Sequence, residues 1–124
     1  MIYNNSEYKV KFYMNIKINR SPIFKYIDNL PIKDKIKVLK YIEFLRENKG
    51  YLDQPYSKQI KNKIRELRVD FSKNKYRIFY FVFVKKTIIL LHIFLKRTNK
   101  TPKFEIKKAE ENYKMVLINK EIYE

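Results

Sequence analysis

Apolar and polar residues alternate near the start of the chain. Val10 and Phe12 fall on one side and Lys9 and Lys11 on the other, so residues 7–13 are predicted to form a strand. The period then changes. Ser21-Pro22 pairs a capping hydroxyl with a proline at the first helical position, and a short helix over 22–29 presents Ile23, Phe24 and Ile27. After Pro31, Ile32, Ile36, Leu39, Ile42 and Leu45 recur as the stripe of an amphipathic helix over 32–49, with Gly50 as its left-handed terminator. Residues 51–57, with Asp53 and Pro55, read as a connecting loop. Three β-rich runs follow at 60–71, 76–84 and 87–95, separated by polar breaks at 72–75 and Lys85-Lys86 that read as hairpin turns. Thr101-Pro102 repeats the helix-start signal, and Ile106, Ala109, Tyr113 and Leu117 carry the closing helix. The expected class is α+β: an N-terminal strand, a helical hairpin, an antiparallel β-meander and a C-terminal helix, in one domain spanning 1–124.

Tight turns at Lys73-Asn74 and Lys85-Lys86 would pair Asp70 with Arg77, Arg68 with Phe79, Phe79 with His92, and Arg77 with Phe94, with Lys75 opposite Lys96. Side chains alternate along a strand, so one face collects Leu67, Val69, Phe71, Ile78, Tyr80, Val82, Ile89, Leu91, Ile93 and Leu95, an apolar surface for helices to cover. The other face is apolar at one end. At its other end it gathers Arg68, Arg77, His92 and Lys96 on three neighbouring strands. A two-residue change in either loop preserves these faces, whereas a bulge or an odd-length loop does not. Clustered cations repel, and a bound phosphate would offset that repulsion. Ion pairs offer the alternative, Arg68 with Glu66 or Asp70 and Arg77 with Asp70.

The formal net charge is +16, which points to a polyanionic partner. Lysine accounts for 23 of the 29 basic residues, while glycine and alanine occur once each, at Gly50 and Ala109. That bias matches AT-rich codons, so scattered lysines such as Lys9 and Lys120 say little. The six arginines say more, because a planar fork of donors grips phosphate in a way lysine does not. There is no cysteine and one histidine, His92, so residue types offer neither a disulfide framework nor a Cys- or His-rich metal site, and no cofactor is expected. No apolar run is long enough to span a bilayer and residues 1–7 are polar, so the expected location is the cytoplasm, away from membrane.

Three ordered segments carry a resemblance: Glu66-Leu67-Arg68; Tyr76-Arg77-Ile78-Phe79-Tyr80; and the run from Leu90 through His92, Lys96 and Arg97 to Thr101-Pro102. With Phe12-Tyr13, Ser21-Pro22, Leu30-Pro31 and the Glu105 to Ala109 spacing, the chain resembles the phage-derived, HigB-like branch of the RelE/HigB toxin superfamily over about residues 9–113. It departs from that pattern before Glu66, where Lys63-Ile64-Arg65 stands in place of a glycine, a leucine and an aromatic residue, and Arg97 replaces a lysine.

The resemblance implies a RelE/ParE-like fold and the toxin of a type II toxin–antitoxin pair: a metal-independent, ribosome-associated mRNA endonuclease (mRNA interferase). Its expected partners are mRNA, the ribosome and a cognate antitoxin, a small helix-turn-helix protein. Arg68 and Arg77 would hold the phosphate. Lys96 would stabilise charge or accept the 2′-OH proton, and His92 is a second acid–base candidate. Lys75, Arg97 and Lys100 would contact RNA, and Phe94 would either stack a base or, as strand aromatics more commonly do, pack. Two alternatives stand beside this: a non-catalytic basic protein that binds RNA or ribosomes, and a ParE-like toxin directed at DNA gyrase.

Overall fold

The computed structural model describes residues 8–124, so Glu7 and the polar residues before it lie outside the described residues. The elements run β1 (Lys9–Phe12), α1 (Pro22–Asp28), α2 (Ile32–Glu47), β2 (Ser57–Lys61), β3 (Ile64–Phe71), β4 (Asn74–Phe83), β5 (Thr87–Leu95) and α3 (Lys103–Ile118), followed by a short 3₁₀ turn at Lys120–Ile122. The strands form one sheet in the order β1-β5-β4-β3-β2. β1 runs parallel to β5 and all other neighbours are antiparallel. The α+β class is as expected. Among the described residues no helix is long and apolar enough to cross a membrane.

The helical hairpin covers one face of the sheet. Ser21 Oγ accepts the Phe24 N–H at 3.2 Å, capping α1 as predicted. α2 packs against β3, and Tyr80 on β4 donates to the Gly50 carbonyl at 3.1 Å just beyond the end of α2. Gly50 is left-handed (φ +84°), and a Cβ there would lie 2.5 Å from Val82 Cγ2, so backbone shape and close packing both demand glycine. The buried stripe of α2 differs from the predicted one. Asp34, Val38, Ile42 and Leu45 face the sheet, while Ile32, Ile36 and Leu39 are exposed. The cause is Asp34, which turns inward to accept hydrogen bonds from Tyr76 Oη and from Asn74 Nδ2 (2.8 Å). A polar residue sits where periodicity alone favours isoleucine.

α3 covers the apolar end of the opposite face. Its buried line is Ala109, Asn112 and Val116, with Ile106 and Tyr113 partly buried and Leu117 exposed, a small rotation from the predicted face. Tyr113 meets Phe81 edge-on at 4.7 Å between ring centroids.

The meander has four strands rather than three. Residues 60–71 do not form one run: the chain reverses at Asn62-Lys63, with Asn62 left-handed (φ 53°), and β2 and β3 form a hairpin. Asn tolerates that conformation, so it marked a turn that the apolar flanks Ile60 and Ile64 concealed. The next turn is Ser72-Lys73 rather than Lys73-Asn74, which places Arg68 directly opposite Arg77 and Asp70 opposite Lys75. The shift is two residues, so the faces survive it.

The β4–β5 connection carries both irregularities that alternation cannot anticipate. Its turn has three residues, pairing Phe83 with Thr87, and a bulge between Phe79 and Tyr80 restores the expected register at Phe79–His92 and Arg77–Phe94. Between these points Leu90 pairs with Tyr80 and Ile89 with Phe81, so Ile89 and Leu90 lie on faces opposite to those predicted. Leu91 is the residue left over, and its carbonyl accepts a hydrogen bond from the buried Asn112 side chain at 2.8 Å.

Candidate phosphate-binding site

From the edge of the α3 core outward, three rows of residues cross β3, β4 and β5 on one face: Glu66, Phe79, His92; then Arg68, Arg77, Phe94; then Asp70, Lys75, Lys96. Lys96 lies one residue past β5, held in register by its N–H to the Lys75 carbonyl at 2.8 Å. The first row is the floor of the α3 core. The next two hold four cations against one carboxylate, and Glu66 supplies a second from the first row.

The two arginines are each paired, as the ion-pair alternative anticipates. Arg68 Nε donates to Glu66 Oε1 at 3.0 Å, and Arg77 Nη1 donates to Asp70 Oδ1 at 2.7 Å and to its neighbour's carbonyl, Tyr76 O, at 2.9 Å. The two carboxylates differ in setting. Glu66 is 1% exposed and accepts a second hydrogen bond, at 3.4 Å, from the Thr101 hydroxyl. That hydroxyl was expected to cap α3, but α3 begins after Pro102 with no side-chain cap. The Asp70 side chain is 59% exposed. Arg77 is only 5% exposed, and its Nε is buried without a hydrogen-bond partner among the described residues.

Lys96 makes no ion pair among the described residues. Burial lowers its pKa below the ordinary lysine value, and Arg77, Arg68 and Lys75 push it further down, with Glu66 acting in the opposite direction. With Lys73, Asn74, Lys75, Leu95, Arg97, Thr98 and Asn99 it lines a polar groove of about 480 Å³. Lys75 and Arg97 are exposed there. Lys100 is exposed but does not line the groove.

His92 is elsewhere. Its ring stacks on Phe79 (6.4 Å, 26°) and Phe94 (5.8 Å, 21°), and its Nε2 lies 2.6 Å from Glu105 Oε1 at the start of α3. It stands four positions before Lys96, about 13 Å along the backbone. His92 is engaged with Glu105 under α3, whereas Lys96 lines the open groove. Phe94 is buried between neighbours, 5.5 Å from Phe79 as well, so it packs and has no open face for a base.

Glu66, Glu105, Thr101 and Lys73 were not singled out as site residues from the sequence. Glu66 shares the alternation of Arg68, which is a readable signal; the others come together only through the turns and the seating of α3. Among the described residues no three His, Asp or Glu side chains gather to hold a metal.

A family model for phage-derived proteins, Gp49-like (DUF891), matches residues 25–114, from α1 through most of α3. The chain belongs to the Gp49-like family. No curated protein matches it. The matched span of this Gp49-like chain includes all nine residues of the three rows.

Proposed function

We propose that this Gp49-like protein is the toxin of a type II toxin–antitoxin pair, of the RelE/HigB kind, and an endoribonuclease that cuts mRNA on the ribosome. Family membership supports the toxin reading. The observation that carries the nuclease reading is Lys96. It is a cation without an acidic partner among the described residues, with a depressed pKa, at the junction of the two arginines and an open basic groove.

In this reading the groove takes the RNA backbone through Lys73, Lys75 and Arg97. The scissile phosphate sits over Lys96 and Arg77, with Arg68 beside them. The 2′-oxygen attacks phosphorus, its proton passes to the neutral fraction of Lys96, the P–O5′ bond breaks, and the 5′-oxygen leaves with a proton from solvent. Fixed donors aimed at the phosphoryl oxygens contribute about 3 kcal/mol each to the transition state. His92 holds α3 to the sheet through Glu105 rather than touching substrate.

The rival reading is a basic protein that binds RNA or ribosomes without cutting. The two arginine ion pairs favour it, because paired guanidinium groups contribute to a basic surface without being free to grip phosphate. Induction in a bacterial host separates the two. Growth arrest with new mRNA ends inside coding regions, both lost in Lys96→Ala at equal protein level, is the expected result. A folded wild-type chain that leaves mRNA intact would favour binding alone. The partner in this account is an acidic antitoxin, and its affinity should fall with added salt.

A further inference from the structure

The two carboxylates that neutralise the arginines are held differently, and the difference suggests which can leave. Glu66 is sealed: 1% exposed, bound by Arg68 at one oxygen and by Thr101 at the other. Releasing it would strand a charge in the interior. Asp70 is open. Its side chain is 59% exposed, water can solvate it when it swings away, and a single 2.7 Å hydrogen bond ties it to Arg77. Arg77 cannot follow. Its guanidinium is 94% buried as a side chain, fixed by Tyr76 O, and its Nε has no partner. It is therefore a preoriented anion receptor with one donor occupied by a removable carboxylate and another donor unused.

We propose that Asp70 is an exchangeable counter-ion. It occupies Arg77 in the free protein, and an incoming RNA phosphate displaces it and takes over the guanidinium. The inference rests on the phosphate-binding reading above and adds a residue that opposes binding. Asp70 keeps the folded apoprotein from carrying an unpaired buried charge. It also sets a threshold: weakly bound anions, which cannot engage Lys96 and the groove together with Arg77, do not outcompete it. Lys75, directly opposite Asp70 in the register, is placed to receive the displaced carboxylate.

The test uses a short 2′-O-methyl oligoribonucleotide, which has no 2′-OH to react. Asp70→Asn keeps the shape and a hydrogen-bond acceptor but removes the charge. It should raise affinity for this probe about three- to tenfold at fixed salt. Glu47→Gln, an exposed acid at the far end of α2, removes the same charge and should change affinity by much less. Equal gains in the two variants would mean that only net charge matters, and a loss of affinity in Asp70→Asn would mean that Asp70 positions Arg77. Either overturns the proposal. If Asp70→Asn does not fold, the wild type suffices: the Asp70 side-chain carboxyl carbon and the Arg77 Nε–H should shift together in NMR spectra as the probe is added. An unmoved Asp70 signal at saturation would show that the pair persists. The nuclease reading is scored separately, by whether the wild type cuts programmed mRNA and Lys96→Ala does not.

Discussion

Where α3 covers the β3–β5 face, Phe81 meets Tyr113 and Phe83 edge-on and the buried amide of Asn112 finds the carbonyl of Leu91. A few residues along the same strands, four cations stand beside two carboxylates, which pair only the two arginines, and among the described residues Arg77 Nε is buried with no partner. Both ends are built on the same alternation and the same hydrogen-bond ladders. At the covered end each side chain is matched to its neighbours, as stability requires. At the open end positive charge is left in excess, which is the feature the proposed phosphate-binding role rests on.

The contrast is sharpest in stability. Phe81→Ala should cost about 3–5 kcal/mol, read as a large drop in the denaturant midpoint, because it empties the contact with Tyr113 and Phe83. Lys96→Met should be neutral or stabilising by up to about 1 kcal/mol, since it removes a repelling cation and keeps the apolar stem. If Lys96→Met destabilised the fold as much as Phe81→Ala, the open end would be structural and the contrast would collapse.

A smaller effect belongs to the opposite face. Burial, followed by the Asp34 carboxylate, raises the Tyr76 hydroxyl pKa from 10.0 to about 12. The folded state therefore favours the protonated phenol. Its contribution to stability is complete below about pH 10 and is lost as pH rises towards 12. Replacing Tyr76 by Phe should flatten that part of the stability–pH curve. An unchanged slope would mean that burial and the Asp34 carboxylate do not hold the Tyr76 phenol protonated.

Much of this was legible in the sequence, for reasons that differ from element to element. The helix starts and the faces of β3 and β4 followed from capping residues and from a period of two, which a two-residue error in turn position does not disturb. Arg68, Arg77 and Lys96 therefore share a face whether Arg68 is set opposite Phe79, as tight turns predict, or opposite Arg77, as in the structure. The exchange of Ile89 and Leu90 was not legible, because an odd-length turn and a bulge cancel only when both are known. The hairpin at Asn62-Lys63 lacked glycine and proline. The stripe of α2 failed because a polar network, Asp34 with Asn74 and Tyr76, outweighed apolar periodicity. At the site, residue types and the expected ion pairs could be read, but which carboxylate is sealed and which is open depends on where Thr101 and α3 come to rest. The same seating draws His92 to Glu105 and away from Lys96.

Single-turnover cleavage on programmed ribosomes, measured beside equilibrium binding to a 2′-deoxy substrate, tests most directly whether the open end acts on a transition state. Lys96→Ala should slow cleavage by about 100- to 1,000-fold while weakening binding far less. Lys33→Ala, an exposed lysine at the start of α2 and outside the basic groove, serves as the control. A large loss of rate confined to Lys96→Ala is the predicted result. Equal, proportionate losses of rate and affinity in Lys96→Ala and Lys33→Ala would contradict it, and would leave the basic surface as a docking face alone.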